Sequence, residues 1–263
     1  MAIYVTSDAH GHVRALDEAL SKISLTSDDT LYVLGDMIDR GPDPVGVIKL
    51  VRSLPNARVL KGNHEQIMLD AIIGQDPLDA ETWDINGGWT TREQLNDMEF
   101  EAYEELVRWM AGLPLYAVAE TDERPYLLVH AGIETEAARA FLLEHDVDCA
   151  DGAGAVGADR ELLKQMLAVQ SSDDLLWIRH GYWDAPTGLL SAEGKGPVVV
   201  SGHTPTVSLG RYCEVGGLAG LDEESGRGQI VRLGGEDTAE FGRVGILRLD
   251  DGAEFYANIN PGE

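Results

Sequence analysis

Three short apolar runs in the N-terminal third each stop at a cluster of Gly, Asp, Asn and His. Ile3 to Val5 leads to Asp8-Ala9-His10-Gly11, and Leu31 to Leu34 leads to Gly35-Asp36-Met37-Ile38-Asp39-Arg40-Gly41. Val59-Leu60 leads to Gly62-Asn63-His64-Glu65. Between them, Val13, Leu16, Leu20 and Ile23 recur at helical spacing, followed by Val47, Leu50, Val51 and Leu54 after a Pro42–Pro44 start. A third helical pattern runs through Met68, Ala71 and Ile72. Strand–helix–strand–helix order predicts parallel strands joined by crossover helices. In such sheets ligands bind at the C-terminal ends of the strands, where these polar clusters lie.

The middle of the chain is more helical. Phe100, Tyr103, Leu106 and Met110 form one apolar face, and another helix is predicted from Arg160 to about Val169. His145 falls at an acidic helix end, and the Gly-, Ala- and Asp-rich Cys149 to Ala158 reads as a surface loop. This 145–158 loop has no assigned role. The last third is strand-rich, with runs at Val198–Val200, Gln229–Arg232, Val244–Arg248 and Glu254–Tyr256, and predicts an antiparallel meander. The Gly- and Glu-rich stretch Gly216–Gly228 has no assigned place. With no repeats and no low-complexity linker, residues 1–263 are expected to form a single domain with inserted loops. The fold class is α/β (α+β) with a mixed or antiparallel second sheet.

Charge narrows the partners. With 46 acidic against 20 basic residues, the net charge of −26 disfavours nucleic acid and anionic membranes. An anionic substrate is still allowed at a locally positive site, because exposed charges are screened beyond roughly 10 Å. Cys149 and Cys213 imply no disulfide framework. No apolar run approaches bilayer length, and Met1–Val5 enters a strand pattern without a basic-then-apolar leader, so a cytoplasmic location is expected.

Two later histidines also follow apolar runs: His130 after Leu128-Val129, and His203 in Ser201-Gly202-His203-Thr204. A lone Asp or His at a strand end is ordinarily a cap or turn residue, but five such pieces in one order indicate a site. Asp8, His10, Asp36, Asn63, His130 and His203 offer oxygen and imidazole nitrogen with no thiolate. That set suits manganese, iron, zinc or magnesium. Asp36 is the natural bridge between two ions, since its strand is expected to lie between the other two.

These blocks together resemble the phosphoprotein phosphatase family of metallophosphoesterases, over roughly Ile3 to Thr206, and look nearest to its compact bacterial and phage members. The resemblance implies a four-layer β-sandwich of mixed sheets flanked by helices. It implies two divalent metal ions, manganese first, with Asp8, His10 and Asp36 holding one and Asp36, Asn63, His130 and His203 the other. His64 is then the general acid, Asp39 its orienting partner, and Arg40 and Arg179 the phosphate-gripping cations. The implied reaction is phosphate ester hydrolysis by a metal-activated water. Expected substrates are phosphoserine and phosphothreonine in proteins, or small phosphoesters. The alternative is a symmetrical dinucleoside tetraphosphate hydrolase. A non-catalytic scaffold is disfavoured because all six ligands are present. Asp39, Glu65 and the shortage of basic residues near the motifs, with Lys61 the one addition, favour the phosphatase. Ser7 stands where the family usually has glycine, and Lys61 where many members have arginine. Trp83, Trp89, Trp109, Trp177 and Trp183 read as core or loop anchors, and Gly87-Gly88 as a tight turn near the site entrance.

Overall fold

The computed structural model describes residues 1–74, 76–179, 187–204, 230–232 and 242–259. Trp183, Cys213 and the 216–228 stretch lie outside the described residues.

The predicted alternation is present. Strand β1 (Ile3–Thr6) leads to helix α1 (Val13–Ser21), β2 (Thr30–Val33) to α2 (Pro44–Ser53), and β3 (Ala57–Val59) to α3 (Asn63–Ile73). Helix α2 starts where its sequence asks. Asp43 caps it by accepting from the Gly46 N–H at 2.8 Å, and Pro44 occupies the first turn, where no intrahelical donor is needed. Three helices follow: α4 (Pro77–Ile85), α5 (Trp89–Asn96) and α6 (Phe100–Ala111). On α6, Leu106 and Met110 are buried while Phe100 stays exposed, so the predicted apolar face is only partly used.

The second half supplies β4 (Tyr116–Glu120), β5 (Pro125–Val129), α7 (Thr135–Glu144), α8 (Arg160–Ala168), α9 (Ser172–Trp177) and β6 (Val198–Ser201). Strands β7 (Ile230–Arg232), β8 (Arg243–Arg248) and β9 (Glu254–Asn258) follow. One sheet has the order β3-β2-β1-β8-β9 and the other β4-β5-β6-β7. The expected terminal meander is therefore corrected. Among the described residues there, β8 and β9 form the antiparallel pair, while β6 and β7 run parallel to β5 in the other sheet. Short apolar runs reveal strands but not partners: Val198–Val200 is buried on both faces, so alternation could not show which sheet receives it.

Three apolar clusters define four layers. Ile3, Val5, Leu34, Tyr126, Leu128, Val200 and Leu247 fill the space between the sheets. Tyr4, Leu31 and Val33 face the other way, onto Leu16, Val47, Ile48 and Met68 of the N-terminal helices. Leu127, Val129 and Val199 pack against Leu142, Leu163 and Met166 of α7 and α8. Strands β1, β2, β5 and β6 thus bury both their faces, and removing apolar surface from water is the main driving term for this stacking. Ala155, in the stretch read as a surface loop, joins the third cluster, so that loop is anchored at its middle. Among the described residues no helix is long and apolar enough to cross a membrane.

Candidate metal centre

The loops after β1, β2, β3, β5 and β6 meet at one end of the sandwich. The first two are joined through the main chain. The Asp8 N–H donates to Gly35 O (3.1 Å), the His10 N–H to Asp36 O (3.0 Å), and the Gly11 N–H to Met37 O (2.9 Å). Asp8, His10, Asp36, Asp39 and Arg40 sit at φ of 55°, 39°, 53°, 69° and 65°, and His203 at 67°. Non-glycine residues in this region cost about 1–3 kcal/mol each, and such backbones persist where surroundings over-determine them and side-chain placement matters. Glycines admit the close approaches. A Cβ on Gly202 would stand 2.2 Å from an Asp8 carboxylate oxygen, and one on Gly41 would stand 2.0 Å from His10 O.

All six sequence-predicted ligands are buried and brought together. Asp36 is the hub. Its Oδ2 lies 3.6 Å from His10 Nε2, 3.5 Å from His130 Nε2 and 4.0 Å from His64 Nε2. Asp8 Oδ1 is 3.9 Å from His10 Nε2, and the Asp8 carboxylate accepts the His203 N–H at 2.9 Å. Asn63 Oδ1 is 2.8 Å from both His130 Nε2 and His203 Nδ1. Ligand atoms of His10, Asp36 and His64 lie within 4.8 Å of one another, and so do those of Asp36, His130 and His203. Asp36 belongs to both groups.

The tautomers show what these atoms can hold. His130 Nδ1–H donates to Leu34 O at 2.7 Å and His10 Nδ1–H to Ile38 O at 2.9 Å, so each presents a bare Nε2 lone pair to the centre. In a site of oxygen and imidazole donors, backbone carbonyls that fix the ring through its other nitrogen are typical of metal-ligating histidine. Lone pairs of His130 and Asn63 and a buried carboxylate converge with no proton to share between them. That donor set fits a divalent cation. Electrostatics agree. Burial holds His10 well below the usual imidazole range, with His64 and Arg40 adding to it, so the ring is neutral and available as a ligand. Burial also pushes the Asp36 carboxyl up to about 6, against the pull of His130 and His64, and a bound cation would favour its ionised form.

His64 and Asp39 form a buried pair, Nδ1 to Oδ2 at 2.7 Å. Burial works against the charged ring, but Asp36 and the bond to Asp39 outweigh it, and His64 is held above its ordinary value. Arg40 is exposed, and its guanidinium reaches His10 Nε2 at 3.1 Å and His64 Nε2 at 3.0 Å. Arg179 is also exposed and donates to Thr204 Oγ1 at 3.2 Å, beside His203. His180, next to it, lies outside the described residues.

Two members of the site were missed in the sequence. Trp83 Nε1–H donates to both Asp39 oxygens, at 3.0 and 3.2 Å, and Thr91 Oγ1–H donates to Asp39 Oδ1 at 2.6 Å. Trp83 was read as a core anchor, and it is one, but its indole N–H also fixes the partner of His64. The only sequence hint was its place just before Gly87-Gly88. Gly87 does make a turn at the entrance, with its carbonyl accepting the Arg40 N–H at 3.1 Å.

Glu65 is fully buried and accepts the N–H groups of Asp36, Met37 and Gly62, each at 2.8 Å. Glu65→Gln turns an amide donor toward one of these donors. It is expected to cost about 1–3 kcal/mol, the range for a buried unsatisfied polar group. The urea midpoint should fall with the slope unchanged; an unaltered midpoint would refute this role.

A four-layer sandwich with strand-end oxygen and imidazole ligands defines a metallophosphoesterase. The chain belongs to the calcineurin-like phosphoesterase family, whose model matches residues 1–232. It is 29% identical over 219 residues to the symmetrical bis(5'-nucleosyl)-tetraphosphatase of Proteus mirabilis, covering 81% of this chain and 68% of that one. A protein of the same name from Erwinia tasmaniensis is 32% identical over 136 residues, covering 51% of this chain and 45% of the relative. The chain thus matches less than half the length of the Erwinia relative. Among solved structures, a protein serine/threonine phosphatase from Saccharomyces cerevisiae aligns with a TM-score of 0.56 at 17% identity, over 100% of this chain and 81% of that one. That likeness shows the shared fold.

Proposed function

We propose that the chain is a metal-dependent phosphohydrolase that splits dinucleoside tetraphosphates symmetrically. The observation carrying this reading is the likeness to the Proteus tetraphosphatase across 219 residues. The phosphoprotein phosphatase reading rests on Asp39, Glu65 and the shortage of basic residues near the motifs, and Glu65 has a different duty. Glu65 holds three main-chain N–H groups and faces no substrate. Asp39 is fully buried and spends its oxygens on His64, Trp83 and Thr91. Glu65 thus builds the frame of the site and does not read the leaving group, while Asp39 acts on the leaving group only through His64.

In this proposal Asp8, His10 and Asp36 hold one divalent cation, and Asp36, Asn63, His130 and His203 a second, with manganese the first choice. Such ions lower the pKa of water and offset the charge on phosphoryl oxygens. Arg40, pointing from the entrance turn, and Arg179, beside His203, grip the non-reacting oxygens with charge-assisted bonds. His64 Nε2 carries the proton for the departing oxygen, while Asp39 keeps Nδ1 protonated and the ring in place.

A second reading keeps support from that same pair. A buried Asp–His couple suits a poor alkoxide leaving group, which must be protonated as it departs. Phosphomonoester hydrolysis is the competing reading. The test compares kcat/KM for diadenosine tetraphosphate, phosphothreonine peptides and small phosphomonoesters at one manganese concentration and one ionic strength. The expected result is preference for the dinucleotide, with ADP as the sole nucleotide product. Preference for the monoesters, or release of ATP and AMP, overturns the proposal.

A further inference from the structure

A second cluster of cations lies away from the metal-ligating residues. Strands β3 and β4 are the edges of their sheets, and a cavity of about 430 Å³ sits beside them. Arg58 of β3 and Arg160 and Lys164 of α8 line it, with Tyr32 and Tyr116 supplying its aromatic part. No Asp or Glu lines it, in a chain with 46 acids and 20 bases, and none of the proposed metal ligands lines it either.

The three cations are built into position. Arg160 and Lys164 stand one turn apart on α8 and so share a face. Arg160 donates to the Val118 carbonyl at 3.1 Å, which ties the helix to edge strand β4 and uses one of its five N–H donors. Arg58 lies 5.8 Å over the Tyr32 ring. Lys164 has an ion pair at 3.5 Å with Glu161, but both side chains are well exposed, so that pair is weak. Three like charges around one cavity repel each other, and a bound polyanion relieves that repulsion. Guanidinium forks match phosphate oxygens, Tyr116 offers an apolar wall, and the volume falls within the roughly 300–1,000 Å³ common for small-ligand sites.

We infer that this cleft is a second site, separate from the metal centre, for a nucleoside polyphosphate, with phosphates on Arg58, Arg160 and Lys164 and the base against Tyr116. The choice of a nucleotide over a bare polyphosphate rests partly on the proposed function; the position of the site does not. Strand β3 continues through Lys61 and Gly62 into Asn63 and His64, so an occupant borders the segment that feeds the metal centre.

The test is calorimetric titration of ADP into the full chain, the Asp36→Asn variant, and both with Arg58→Glu and Lys164→Glu added. ADP binding is expected to survive Asp36→Asn and to weaken at least tenfold on charge reversal in that variant, where the metal centre does not compete for ADP. Pyrophosphate and adenosine should each bind at least tenfold more weakly than ADP. Loss of all ADP binding in Asp36→Asn, or indifference to charge reversal in that variant, overturns the site. Pyrophosphate binding as tightly as ADP overturns the nucleotide assignment. Arg58→Gln with Lys164→Gln gives the same comparison should the reversed pair fail to fold. Turnover of diadenosine tetraphosphate by the parent is a separate readout, so failure of the proposed function and failure of this site are distinguishable.

Discussion

Asp36→Asn is expected to give a folded protein that has lost metal and nearly all turnover. The loss should exceed the roughly 10–100-fold typical when an outer partner of a metal site is removed, because Asp36 alone belongs to both ligand groups. The fold should survive. Asp36 Oδ1 accepts the His64 N–H at 3.0 Å, and an asparagine carbonyl can keep that bond. The other oxygen faces the Nε2 atoms of His10, His130 and His64, where an amide N–H is tolerated but a cation is not bound. Burial already disfavours the ionised carboxyl, so with metal chelated the variant should melt no lower than the parent. Metal content by mass spectrometry, turnover and chelated melting curves check the three parts. Two ions per chain with normal turnover would place the bridge elsewhere.

The sequence carried much of the site because its pieces are local. Each motif follows its strand directly, so a chain order of strand, cluster and helix places Asp8, Asp36 and Asn63 at one sheet edge before any contact is known. His130 and His203 were legible for the same reason, as polar residues closing apolar runs. What the sequence did not carry is nonlocal. Trp83 and Thr91 reach Asp39 across 44 and 52 residues, from helices with little apolar periodicity to announce them. The pairing of β8 with β1 joins the two ends of the chain, and no short-range pattern encodes it. Asp39 is bonded to His64 as its motif implies, but the duty of Glu65 was misread. A motif shows which residues are present, while only the contacts show that Glu65 holds backbone.

His64→Asn is the most discriminating substitution. His64 is buried, and its Nδ1–H is held by Asp39 while Nε2 faces the entrance beside Arg40. An asparagine amide can still donate to Asp39, so the framework of Trp83, Thr91 and Asp39 should hold and metal content should be unchanged. Only the titratable nitrogen is removed. General acid catalysis contributes about 10²–10⁴-fold, and it does so only where the leaving oxygen needs a proton. Turnover of alkyl phosphates should therefore fall within that range, while aryl phosphates with acidic phenols should lose much less. A nucleoside diphosphate leaves as a stabilised anion, so the loss on diadenosine tetraphosphate should lie near the aryl end. The plot of log kcat/KM against leaving-group pKa should be steeper for the variant than for the parent. Equal losses on all three substrate types, with metal content intact, would remove His64 from the role of acid and leave it a positioning residue.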